Sequence, residues 1–152
     1  MLNLTNLLGN LALMALTLTI SLRPLAQVFP KIYFLKKLLS KRRLIGNTSA
    51  LLFIFHFLTL FPYFPFTADP RDRIFYGLLA APIMMILFLT GNDFAVRLLK
   101  RKWKYLHLLI HPLFLLVLTH KGFPSALLLF AFVYGLRFLA YKKITLNSPL
   151  ML

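Results

Sequence analysis

Four histidines carry most of the chemistry this sequence offers: His56, His107, His111 and His120. Each lies in, or at the end of, a long apolar run. Three fall in one stretch, KRKWKYLHLLIHPLFLLVLTH, residues 100–120. A histidine inside hydrocarbon is costly unless something partners it. Neutral imidazole is a good metal ligand, and a good axial ligand for haem iron. Two histidines on neighbouring helices would clamp one b-type haem without a covalent link. The plainer reading is a polar residue hydrogen-bonded between helices.

Other chemistries lack their residues. There is no cysteine, so disulfides, thiolate metal sites, iron–sulfur clusters and C-x-x-C-H haem attachment are excluded. The only acids are Asp69, Asp72 and Asp93, and none falls in the middle of an apolar run. That disfavours a carboxylate relay for protons or cations. No paired carboxylates or Ser/His/Asp set is present for hydrolysis, and no catalytic residue is assigned. Met84 and Met85 could in principle ligate iron, but packing is the simpler role for both.

The elements that must position the histidines are membrane spans. Hydrophobic residues make up 60% of the chain and charged ones 14%, against roughly 45–50% apolar in soluble domains. Five apolar segments each approach the roughly 20 residues that cross a bilayer: 5–29, 44–62, 74–91, 105–119 and 124–141. In lipid each must satisfy its own backbone, so each is predicted to be a helix. Pro24, Pro82 and Pro112 predict local kinks. The first segment lacks a basic leader and a small-residue cleavage site, which predicts a permanent span. The expected fold is one all-α integral membrane domain, residues 1–152, a bundle of about five helices.

Charge sets the orientation. Lysines and arginines number 18 against the three acids. They sit in short runs between apolar segments, which reads as topology and contact with anionic lipid rather than as nucleic-acid binding. Lys31, Lys36, Lys37, Lys41, Arg42 and Arg43 fall between the first two segments. Arg97, Lys100, Arg101, Lys102 and Lys104 fall between the third and fourth, and Lys142 and Lys143 in the tail. Arg71, Arg73 and Lys121 fall on the other side. The positive-inside rule then predicts an external N-terminus and a cytoplasmic C-terminus.

Depth along the helices sorts the histidines. Counting from the cytoplasmic ends at 1.5 Å per residue, His56 lies roughly 18 Å in, His120 roughly 24 Å and His107 about 5 Å. The expected pair is His56 with His120, in the outer half of the layer. His107 lies about 20 Å below His120, an offset that suits a second haem. At the matching depth the second segment offers Arg42, about 21 Å below His56, which could pair with haem propionates or serve as an unusual ligand. His111, one turn after His107, is expected to be incidental. His107 and His120 are 13 residues apart, roughly 140° out of phase on an ideal helix, and a kink at Pro112 is the expected remedy.

These residues carry a resemblance. LLSKRRLIGNTSALLFIFHFL resembles the Arg-Arg-x-Leu-Gly entry and histidine-bearing helix of ferric-reductase-like transmembrane proteins. RLLKRKWKYLHLLIHPLFLLVLTH resembles that family's basic loop, its Arg-Trp-Lys-x-Leu-His motif and its second histidine 13 residues on. TLTISLRPL is similar to the T-P-L-R helix end of those members that serve as haem-binding membrane subunits of methionine-sulfoxide reductase systems. The likeness spans about residues 10–141. His111 stands where the family tends to have Tyr, and five predicted spans stand against the family's six.

The resemblance implies one or two b-type haems in a bacterial inner-membrane protein, with His56, His107 and His120 as iron ligands. Arg42 enters the cofactor site from the depth count above, not from the resemblance, which further implies electrons arriving from a cytoplasmic flavin reductase or a bound flavin (FMN). They would leave to a periplasmic molybdenum-containing methionine-sulfoxide reductase, so the chain would be an electron-transfer subunit rather than the catalytic one. A ferric reductase, and a non-redox structural or channel-like subunit with merely structural histidines, are the alternatives.

Overall fold

The computed structural model describes residues 2–61, 73–122 and 125–147, and every regular element among them is helical. Helix α1 spans Leu2–Val28, α2 Tyr33–Ser40, α3 Arg42–Leu60 and α4 Arg73–Leu89. Helix α5 spans Asp93–Leu99, α6 Arg101–Leu106, α7 Ile110–Lys121 and α8 Ser125–Asn147. A 3-10 turn, His107–Leu109, joins α6 to α7. Two helices are long and apolar enough to cross a membrane, residues 4–28 and 42–60, and a third if the bent pair α4–α5 is one span. Asp69, Arg71 and Asp72, part of the charge reading above, lie outside the described residues.

Helix α1 is the centre of the bundle, packed along α3 and α8, while α4 packs on α7. The core joins Leu13, Leu16 and Ile20 of α1 to Met84, Leu113, Phe114, Leu118 and Val133. Small residues and side-chain-to-carbonyl bonds let α1 and α3 approach closely. Thr5 Oγ1 donates to Thr59 Oγ1 (3.2 Å), Ser49 Oγ to Ala12 O (2.8 Å) and Arg42 Nε to Thr19 O (2.8 Å). Residues 5, 12 and 19 recur every seven positions, so these rungs lie on one stripe of α1. The partners descend along α3 as α1 ascends, which makes the pair antiparallel.

The predicted third segment, 74–91, is helix α4 and ends at a corner, while the fourth is interrupted. Helix α4 stops at Leu89, and α5 departs at 91°. Asn92 caps α5, its side chain accepting from Ala95 N at 2.8 Å. Gly91 sits at the corner because a Cβ there would lie 3.1 Å from the Leu87 carbonyl and closer still to Asn47 Oδ1. The fourth segment is α6, the 3-10 turn and α7. Pro112 has no N–H for the carbonyl four residues back, so it belongs in the first turn of a helix. It stands third in α7, and the preceding turn tightens to 3-10. The phase between His107 and His120 is therefore broken at 107–109, just before the proline.

The basic linkers also hold structure. Lys36 and Lys37 ride on α2, and Arg97 on α5. Arg43 and Asp93 form an exposed ion pair between the starts of α3 and α5, a solvent-screened contact that contributes little to stability.

Ser49 tests the α1–α3 seam, because its side chain is fully buried against Ala12. Ser49→Ala should cost about 0.6 kcal/mol, the usual worth of such a bond between membrane helices. Ser49→Leu should cost about 1–3 kcal/mol by overpacking. Detergent unfolding curves measure both, and a Leu variant as stable as the parent would rule out this seam.

Candidate functional site

Two cavities hold the histidines, one toward each end of the bundle. The first is lined by His56 from the later turns of α3 and His120 from the last turn of α7, with Asn6, Gly9, Gly77 and Lys121 around them. The two rings are 6.3 Å apart between centres and nearly perpendicular, at 73°. Each is partly buried. His56 Nδ1 bonds the Thr5 carbonyl at 2.8 Å, and His120 Nδ1 bonds the Arg73 carbonyl at 2.9 Å. A carbonyl can only accept, so in each bond Nδ1 carries the proton and donates. In the neutral ring, Nε2 is then the nitrogen with the free lone pair. No described residue takes either Nε2.

The donor set fits axial ligation. A metal–imidazole bond is about 2 Å and half a ring adds about 1 Å, so two imidazoles on one metal centre sit roughly 6 Å apart. Metal-bound histidines almost always donate their other N–H to a carbonyl or carboxylate, as both do here. No cluster of three or more His, Cys, Asp or Glu suited to a bare metal ion occurs among the described residues. Two axial imidazoles are what a low-spin haem uses. The enclosed volume, about 230 Å³, is below the roughly 300–1,000 Å³ of ordinary ligand pockets. The cavity is partly open at one side.

The second cavity is larger, about 1,100 Å³, and basic. Arg23, Arg42, Arg43, Lys104 and Arg137 line it, and no acid does among the described residues. His107 and His111 are both in its wall, with Trp103. Trp103 stacks on the His107 ring, centres 4.0 Å apart, and its Nε1 donates to the Thr90 carbonyl at 2.8 Å. His107 Nε2 stands 3.3 Å from Thr90 Oγ1. Arg137 Nη1 lies 2.6 Å from His111 Nε2 and 2.9 Å from Nδ1, with the Tyr134 hydroxyl at 3.4 Å. Leu16 and Met84 line both cavities and form the wall between them.

The structure thus brings His56 and His120 together and keeps His107 apart from them, beside Arg42. His111, expected to be incidental, faces the same basic cavity. Sequence reasoning passed over Arg23, Arg137 and Lys121 as cavity residues. A signal for Arg137 existed: an arginine inside an apolar segment is a functional candidate by default. Trp103 carried one too, since it precedes His107 by four residues, one helical turn.

Comparison with protein-family models, with curated proteins and with solved structures returns no match. The likeness to ferric-reductase-like proteins therefore rests on the quoted motifs.

Trp103 is the only tryptophan in the chain, so its emission reports on the second cavity. In haem-free protein, protonation of the stacked His107 should change that emission as pH falls, through cation–π contact. His107→Ala should abolish the step. A step of full size in the variant would mean that the stack does not form.

Proposed function

We propose that this chain is a transmembrane b-type haem electron carrier of the bacterial inner membrane. The single observation that carries the reading is the His56–His120 pair, spaced at 6.3 Å with both Nδ1 atoms tied to helix carbonyls. When bound there, haem supplies reversible one-electron chemistry at its iron. The chain's own part is to hold two neutral imidazoles at that spacing and to keep their Nε2 atoms free.

The wider topology is also proposed: five spans, N-terminus outside and C-terminus cytoplasmic. Exposed apolar side chains support a lipid-facing surface, among them Leu7, Met14, Phe55, Leu58, Leu128 and Phe138. Helix α7 and its 3-10 turn would make the fourth span together with α6. The basic linkers sit at the end of the bundle that holds the second cavity, so that end faces the cytoplasm under the positive-inside rule. The first cavity then lies toward the periplasm.

In this reading the second cavity is the entry side. Arg42, Arg23 and Arg137 would pair with carboxylates or phosphates of an anionic cofactor, either the propionates of a second haem or the phosphate of FMN. His107 supplies an imidazole beside them. The donor would be a cytoplasmic flavin reductase, whose approach the basic linkers would favour within about 8 Å at physiological salt. The acceptor would be a periplasmic molybdenum-containing methionine-sulfoxide reductase. At the outer cavity Lys121, bonded to Asn10, is the cation available to a propionate.

One observation favours a second reading. A histidine bonded to a neighbouring helix carbonyl is also how a purely structural histidine would sit. Colour separates the two. Protein purified from cells with ample haem should give a reduced-minus-oxidised spectrum of low-spin bis-histidine haem b. Replacing His56 or His120 by Ala should remove most of that signal. A colourless protein supports the structural reading, and full haem content in either variant overturns the pairing.

A further inference from the structure

His56 and His120 come from different helices and bond to different helices, yet the two contacts have one construction. The acceptor of His56 is the carbonyl of Thr5 on α1, and four residues on stands Gly9. The acceptor of His120 is the carbonyl of Arg73 on α4, and four residues on stands Gly77. Within an α-helix the carbonyl of residue i already accepts the N–H of residue i+4. A second donor must come in from the side. That side is where the Cβ of residue i+4 would stand, because Cβ atoms tilt toward the helix N-terminus and cover the preceding turn.

Glycine leaves that approach open. A Cβ built at Gly9 would lie 3.0 Å from His56 Cε1 and 3.1 Å from its Nδ1. One at Gly77 would lie 2.9 Å from His120 Nδ1 and 3.1 Å from its Cε1. A methyl at Gly77 would have to shift the His120 ring, and one at Gly9 would crowd the His56 ring against its carbonyl. The other two glycines within described helices differ. Gly135 on α8 has nothing within 4 Å of such a Cβ, and Gly46 meets only the Thr19 side chain, no nearer than 3.5 Å. Glycine inside a helix is disfavoured against alanine. At Gly9 and Gly77 an imidazole occupies the space that glycine leaves.

We propose that Gly9 and Gly77 are positioning residues. Each admits one imidazole to a helix carbonyl, and so fixes His56 and His120 as Nδ1–H tautomers with Nε2 open to the first cavity. The role of those two nitrogens as iron ligands rests on the haem reading above, while the positioning itself does not require it.

The test has two arms on the full chain in detergent, using G9A, G77A and the control G135A. The first arm is haem-free nitrogen NMR of labelled histidine. The parent should show His56 and His120 protonated at Nδ1. G9A should disturb His56, G77A should disturb His120, and G135A neither. The second arm titrates haemin. Loss of the supporting carbonyl bond should weaken uptake about 10–100-fold in G9A and G77A and leave G135A unchanged. Parental tautomers and parental haemin affinity in both variants would overturn the proposal. Tautomers that shift as expected in a parent that takes up no haemin would support the positioning role and sink the haem reading. If G9A does not fold, the His56→Ala background decides. With the ring gone, G9A should be neutral or stabilising, and a comparable loss of folding there would overturn the proposal.

Discussion

In an apolar layer every polar group needs a partner, and this chain has almost no carboxylates to supply one. Its polar side chains turn instead to the main-chain carbonyls of neighbouring helices. Ser49 bonds Ala12, Arg42 bonds Thr19, His56 bonds Thr5 and His120 bonds Arg73. Trp103 bonds Thr90 and Lys143 bonds Val28. An unpaired buried donor would cost about 1–3 kcal/mol, so these contacts decide which helix faces which. Helix α1 is central because it accepts the most of them.

The same constraint makes the two cavities different. In the first, each imidazole donates its Nδ1 proton to a helix carbonyl. In the second, four arginines gather with Lys104. Arg42 reaches the Thr19 carbonyl and Arg43 reaches Asp93, but Arg137 lies against a histidine. A cluster of that sign is suited to an anion with several oxygens. One cavity joins two carbonyl-bonded histidines, and the other gathers arginines.

The breaks in the helices serve this division. The 3-10 turn at His107–Leu109 separates the two ends of the fourth segment. His107 and His120 can then face different cavities although one apolar run carries both. The corner at Gly91 brings the Thr90 carbonyl to Trp103 and His107. Both breaks stand at residues whose backbone chemistry calls for them, a proline and a glycine.

The sequence by itself determined the helical class and the approximate extent of the apolar segments. It also put His56, roughly 18 Å in, closer in level to His120, roughly 24 Å in, than to His107, about 5 Å in. Level along a helix follows from counting residues at a constant rise, which is a local quantity. Rotation about the axis and choice of neighbour are not local. They follow from packing across the whole bundle, so only the tertiary structure decided that Thr5 and Arg73 are the acceptors. It alone drew Arg137 and His111 into one basic cavity, and gave Gly9 and Gly77 a ring to face. The short helices α2 and α5 were hidden for a related reason. Their basic residues read as linker charge.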